Sequence, residues 1–599
     1  MKWLLRFGIL SLIASLLFFD FIIISGPSKG YELSIYDSVG YEVWFLGICS
    51  LIFSFFAIVF SINIPQRGRY NLIIIFSLSL LIFSFTILPY LRGYISLDRH
   101  DSLTHLGILR DMINTGRIST DNIYPSSHII VIELYFMGGF TSLDFHKIII
   151  SFFAVFLLLG SYCFGKALFH DRTIGMMSLI IGSVPNSWII SDYFAPACIV
   201  YTLVPFILFL QLRVYHDCNR RRWVAILSAF LISIVFFHPQ VCILLPFIIL
   251  LMPLIGWLRE RKEKLTKNRN KILLDFHSAS YSISLLLICF ILWIGDLSFF
   301  NLTLRRFYLI LSGNFEESEA ARYQELLSRS NLEIFNTIII FIYTYGICLL
   351  LIFMGLILPI IIKHFIKEKK ESWLFQYLWV SNCVYLLLSI VAFFNGIIIS
   401  FGRIISFSLI ISGLTISAGI VVLLRTINFS FKSKTKIIII FVILFFLISY
   451  LGIFSFYPSP NIGKYNPEVS IANSEGNLWL IQYKNDKNHV IEILGMFARY
   501  LDYWEGPNAA RIRSDAIFYT NDVFPIPHFG YNESCINIGK QYSKDIYLTF
   551  DNAVINYYYN VFPKEGSFNK HDFDNLTNDV SAYKIYDNGD LRTYYIFHG

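Results

Sequence analysis

Apolar residues in this chain come in long blocks separated by short polar connections. The blocks fall at residues 3–25, 44–62, 72–90, 148–169, 173–190, 196–212, 224–237, 241–258, 279–295, 334–362, 374–394, 404–424 and 437–455. A helix rises 1.5 Å per residue, so about 20 such residues cross a hydrocarbon layer of roughly 30 Å. The pattern therefore predicts a polytopic α-helical membrane protein with about 13 transmembrane helices. After residue 455 the blocks stop. Alternating stretches at 545–550 and 592–597 and the turn signal Asp587-Asn588-Gly589 predict a soluble, mixed α/β C-terminal domain over 456–599.

Composition excludes the soluble alternative. Of 599 residues, 56% are hydrophobic and 15% are charged, too few charges to cover the surface of a water-soluble enzyme of this length. The nine cysteines show no disulfide framework and no metal-type Cys-x-x-Cys. Short basic loops mark the cytoplasmic side. They are Arg67/Arg69, Arg172, Arg220 to Arg222, Arg259 to Lys271, Lys363 to Lys370 and Arg425 to Lys436. Placing them all inside puts the N-terminus in the cytoplasm of a plasma-membrane protein. The 91–147 connection and the 456–599 domain are then external. The first block follows Lys2 without a small-residue cleavage site and reads as a retained helix. Residues 129–140 are also apolar, but a crossing there would turn every later basic loop outward. They are therefore expected to lie at the outer face.

The chemistry concentrates in the first large external connection. Asp98, Arg99, His100, Asp101, His105, Arg110 and Asp111 fall directly after a membrane block. On a helix, Asp101 and His105 are one turn apart on one face. A carboxylate and an imidazole so placed, with Asp98 beside them, suit a divalent cation such as Mg or Mn, or proton removal from a hydroxyl. The competing reading is a solvated amphipathic helix with Asp98 or Asp101 as its N-cap. Further polar groups stand at outer helix ends. His238 precedes the helix-breaking Pro239, and Asp192 lies in a short loop before Pro196. Arg403 starts a helix, where an always-charged guanidinium needs an anion or water. No P-loop, dinucleotide fingerprint or Gly-x-Ser-x-Gly is present, and no basic face suits nucleic acid.

The pattern Asp98-x-x-Asp101-x-x-x-His105, then Gly116, then Tyr124-Pro125-x-x-His128, resembles the first external loop of the GT-C superfamily of membrane glycosyltransferases. That superfamily includes oligosaccharyltransferase catalytic subunits and protein O-mannosyltransferases. The resemblance implies that residues 1–455 form a GT-C-like membrane domain. It implies a polyisoprenyl-phosphate-linked sugar donor, a glycan, lipid or protein acceptor, and transfer at the external face with inversion. It implies a catalytic acid among Asp98 and Asp101, helped by His105. Arg403, His238, Tyr124, His128 and Asp192 would then contact substrate. The family's acidic pair is closer than the spacing here, which leaves open which carboxylate acts. Tyr503-Trp504-Glu505 departs from the Trp-Trp-Asp motif of protein N-glycosylating members. The other readings are a transporter or flippase of lipid-linked glycan and a catalytically silent scaffold.

The orientation is tested by thiols introduced singly near Ser127, Ser142 and Lys267. An impermeant reagent added outside should reach the first two and not the third. Labelling near Ser142 only from inside would mean that residues 129–140 cross.

Overall fold

The structure is a computed structural model. It describes residues 2–62, 68–120, 122–138, 142–190, 193–216, 220–263, 269–295, 334–363, 369–394, 400–426, 431–485, 487–493, 496–507, 526–531, 537–562 and 567–598, with a few isolated positions between 300 and 324. The apolar blocks become helices α1 (Lys2–Ser25), α2 (Tyr41–Ser61) and α3 (Gly68–Leu91) before the first large connection. That connection carries α4 (Asp101–Thr115) and α5 (Pro125–Gly138). There follow α6 (Ser142–Phe169), α7 (Arg172–Gly182), α8 (Pro196–His216), α9 (Arg220–Phe237), α10 (Val241–Glu263) and α11 (Arg269–Gly295). The last four of the bundle are α12 (Ile334–Lys363), α13 (Lys369–Phe394), α14 (Phe401–Thr426) and α15 (Phe431–Phe454).

Among the described residues, eleven helices are long and apolar enough to cross a membrane. The other two blocks differ from the expected spans. The 173–190 block gives only the 11-residue α7, started by the Asp171 cap on the Thr173 N–H at 2.7 Å. The chain turns at Ser183 to Pro185, and residues 173–181 are all buried, so this helix is enclosed by its neighbours. The 224–237 block sits in α9, whose 18 residues begin with three arginines. Residues 129–138 belong to the 14-residue α5, about 21 Å long and short of a span. Ser127 is buried, so the thiol that probes this connection belongs on exposed Arg117 instead.

Small polar residues let the first helices approach. Ser11 lies 2.6 Å from Ser77 and 2.7 Å from Ser54, and Ser15 lies 2.7 Å from Ser50, which knits α1, α2 and α3 through hydroxyls instead of bulk. The central helix is α14, 94% buried along its apolar window. Arg403 lies at its N-terminal end and is half-buried.

The C-terminal segment contains α16 (Ile471–Tyr483), α17 (Phe497–Glu505), α18 (Lys570–Asn578) and a mixed sheet. Strands β1 (His489–Glu492), β2 (Ile546–Asp551), β3 (Ala582–Asp587) and β4 (Leu591–Ile596) lie in the order β1-β2-β4-β3. Only β1 and β2 run parallel. Ile491, Leu548, Phe550, Leu576 and Ile596 form its core.

A buried polar layer joins this segment to the bundle. The backbones of Ile95/Ser96 and Val469 exchange bonds of 2.8 and 2.9 Å. Arg99, 1% exposed, pairs with Asp551 and donates to the Glu468 carbonyl at 2.7 and 3.0 Å. Glu32 holds Arg92 and the Tyr94 hydroxyl, and Asn466 donates to the Glu32 carbonyl at 2.8 Å and to Glu468 at 3.1 Å. Acids outnumber arginines here. Burial, with Glu32 adding to it against Tyr94 and Arg99, pushes Glu468 up to about 8. Burial and neighbouring Asp551 push Glu492 to about 8 as well.

This layer makes stability pH-dependent. A carboxyl raised above its unfolded value binds more protons when folded, so its contribution is complete below about 4.5 and is lost as pH rises toward about 8. The parent should therefore melt at lower temperature at pH 8 than at pH 5. The Glu468→Gln, Glu492→Gln double variant, neutral at both, should flatten that slope by on the order of a few kcal/mol. Parallel profiles would show that neither carboxyl is protonated in the fold.

Candidate functional site

Helix α4 carries most of the predicted chemistry, and its two ends are built locally. At its start the Asp98 carboxylate accepts the Ser102 N–H at 2.9 Å, and Ser96 reaches Ser102 hydroxyl to hydroxyl at 2.8 Å. Asp98 is thus the capping acid, and burial raises its pKa. At its end Gly116 takes φ +65°, and its N–H returns to Met112 at 2.9 Å. Leu103, Leu106 and Leu109 face the interior together with His105.

Helix α5 brings up the partner of His105. Asn122 caps the turn before it by accepting the Tyr124 N–H at 3.0 Å, and Pro125 occupies its first position. His128 then lies one turn in, with Nε2 at 3.2 Å from His105 Nδ1. One ring must donate and the other accept, so the pair needs complementary tautomers. Burial pushes His105 down to about 4, with Asp101 opposing and Arg499 assisting. Burial and neighbouring His105 hold His128 well below its ordinary value. Both imidazoles are neutral near pH 7.

His238 and Arg403 approach from the bundle. His238 ends α9 with its N–H on the Ile234 carbonyl at 3.0 Å, and its ring stacks on Tyr124 at 5.0 Å and 10°. Burial, then the nearby Arg403 charge, keeps it neutral. Tyr124 is raised by burial although Arg403 pulls it down. The Arg403 guanidinium donates to the Gln240 side-chain carbonyl. Phe194 meets His105 edge-on at 6.0 Å and His128 at 5.9 Å. Five predicted residues, His105, Tyr124, His128, His238 and Arg403, thus share one neighbourhood.

Asp101 stands apart from the expected pair with His105. Its side chain is 79% exposed, and it meets Arg499 of α17 at 3.3 Å. Arg499 also donates to Thr104 at 2.8 Å, and Thr104 donates to Asp502 at 2.5 Å. Arg110 lies over Tyr503 and Trp504 at 4.6 and 4.5 Å. The string Tyr503-Trp504-Glu505 is therefore part of the helix clamped across α4. At Gly107 the two helices touch backbone to backbone, since a Cβ there would come within 2.0 Å of the Asp502 carbonyl oxygen.

The donor set Asp98, Asp101 and His105 does not fit a divalent cation as expected. Asp98 is spent on a helix N–H, Asp101 points to Arg499, and His105 faces His128. Among the described residues no group of three His, Cys, Asp or Glu converges as a metal site. Asp192 lies outside the described residues. Sequence reasoning missed Arg499, Gln240, Phe194 and the buried His146, whose ring meets Tyr90 edge-on at 5.5 Å. Gln240 was within reach, two residues past His238. Arg499 carried no local signal.

No protein-family model and no curated protein matches the sequence. Among solved structures, the chain is similar to the oligosaccharyltransferase of Archaeoglobus fulgidus in the apo form. The two are 11% identical over 86% of this chain and 74% of that one, with a TM-score of 0.46. It is also similar to AglB from Archaeoglobus fulgidus in complex with an inhibitory peptide and a dolichol-phosphate, at 10% identity over 80% and 70% of the two chains and a TM-score of 0.48. ArnT from Cupriavidus metallidurans in the apo state matches at 10% identity over 89% and 99%, with a TM-score of 0.43.

Proposed function

We propose that this chain is an integral-membrane glycosyltransferase that moves a sugar from a polyisoprenyl-phosphate donor to an acceptor at the external face. The observation that carries the reading is convergence. Four sequence-distant stretches supply His105, Tyr124 and His128, His238, and Arg403 to one place, beside the helix that Asp101 begins. In this reading Arg403, held by Gln240, binds the donor phosphate through its planar fork of N–H donors. The acceptor hydroxyl attacks the anomeric carbon as the bond to the phosphate oxygen breaks. The phosphate leaves with that electron pair toward Arg403. The acceptor proton passes to the Asp101 carboxylate. Asp98 is the less accessible base because its carboxylate is turned into the helix start and holds the Ser102 N–H. The neutral rings of His105, His128 and His238 shape the sugar site without adding charge. Single displacement inverts the anomeric centre.

The test is transfer from radiolabelled polyisoprenyl-phosphate hexoses and pentoses in proteoliposomes. Asp101→Asn should melt like the parent and transfer roughly a hundred-fold more slowly. Asp98→Asn should mainly lower the melting temperature. Arg403→Lys should weaken donor binding and Arg403→Ala should weaken it further. Equal transfer by parent and Asp101→Asn would remove Asp101 from the chemistry, and no turnover of any donor by the parent would overturn the reading.

A further inference from the structure

A cavity of about 410 Å³ lies between the connection after α1 and the C-terminal segment. One wall is residues 27–31 with Arg92 and Gly93, and the other is residues 470–472, Asn552 and the turn 588–590. None of these belongs to the site around His105. Its size is within the roughly 300–1,000 Å³ of small-molecule pockets, but Ile471 is the one large aliphatic side chain in the lining. That favours a polar occupant.

The walls are fixed in advance. The Ser28 N–H bonds the Arg92 carbonyl at 2.8 Å, Asn588 donates to the Ala472 carbonyl at 2.7 Å, and Asn552 donates to the Gly589 carbonyl at 2.9 Å. Gly93 and Gly589 take φ +86° and +89°, conformations that suit glycine and leave the backbone bare to a ligand. The Tyr31 hydroxyl is tied to the Asn466 carbonyl at 3.0 Å, which sets an aromatic ring in the lining.

Charge decides the ligand class. Arg92 is spent on Glu32 and on the carbonyls of Ser25 and Gly26. That leaves Lys29 and Asp590, one of each sign, so neither an anion nor a cation is favoured. One Asp590 oxygen takes the Ser470 hydroxyl, while Oδ1 is closed off from solvent near the Asn552 backbone N–H. Lys29 is exposed and makes no ion pair among the described residues. A carboxylate oxygen, an ammonium, bare turn backbone and a tethered tyrosine ring match hydroxyl pairs and the C–H face of a pyranose.

We propose that this cavity is a saccharide-binding site, separate from the transfer site, that takes one hexose unit of a neutral glycan. Saturation-transfer NMR on the full chain tests it, with the methyl glycosides of mannose, glucose, galactose and N-acetylglucosamine as probes. Nanodiscs are needed, because alkyl-glycoside detergents carry the ligand class. At least one probe should give a saturable signal in the millimolar range. Asp590→Asn should weaken it roughly tenfold or more. Ala472→Trp, which fills the cavity, should abolish it, and Asp101→Asn should leave it unchanged. No saturable signal from any probe, or a signal that survives Ala472→Trp in a normally melting protein, would overturn the proposal. Loss of transfer in Asp101→Asn with sugar binding intact separates the two sites.

Discussion

Arg99 is a guanidinium without access to water, and the rest of the site depends on where it goes. It sits two residues before α4 and reaches across to Asp551 at the end of β2 and to the Glu468 carbonyl. A charge buried in this way is tolerable only with its partners in place. Removing one partner of such a pair costs about 3–5 kcal/mol, because the other is left stranded. The pair therefore specifies one docking of the C-terminal segment on the connection that leads into α4. It also fixes the chain direction at Leu97 to Asp101, and so where Asp98 caps and where α4 starts.

With its start fixed, α4 is held between two unlike surfaces. On one side α17 grips it through Arg499, Asp502 and the stack of Arg110 on Tyr503 and Trp504, and Gly107 permits the close approach. On the other, His105 meets His128 in an apolar, aromatic setting that keeps both rings neutral. The charged groups Asp101 and Arg403 border this neutral lining. Such a division suits a neutral sugar presented on a charged phosphate, with cation and base at its two ends.

Most of the bundle was legible because burial in lipid demands unbroken apolar blocks, and helices follow from them. The block at 173–190 misled because a helix enclosed by protein is as apolar as one in lipid, and only Asp171 and Pro185 hinted at its shortness. The polar run at 98–111 was legible as a candidate site, and the structure places its His105 near His128, His238 and Arg403. The pairing within it was not legible. Helical spacing put His105 with Asp101, but spacing on one helix says nothing of α5 or α17. Those helices supplied His128 and Arg499, the latter bonding Thr104 across 395 positions in sequence. The expected metal ligands do not converge among the described residues for a related reason, since Asp98 caps its own helix and Asp101 meets Arg499.

The central claim is that Arg403 and the histidines His105, His128 and His238 form one donor site. An experimental density map of the chain in nanodiscs with a polyisoprenyl-phosphate tests it most directly. The account predicts phosphate density within hydrogen-bonding distance of Arg403 Nη, with the lipid tail along α14 and open space toward His105 and Asp101. Phosphate density bound instead at the basic Lys363 to Lys370 connection, with Arg403 still on Gln240 alone, would contradict it.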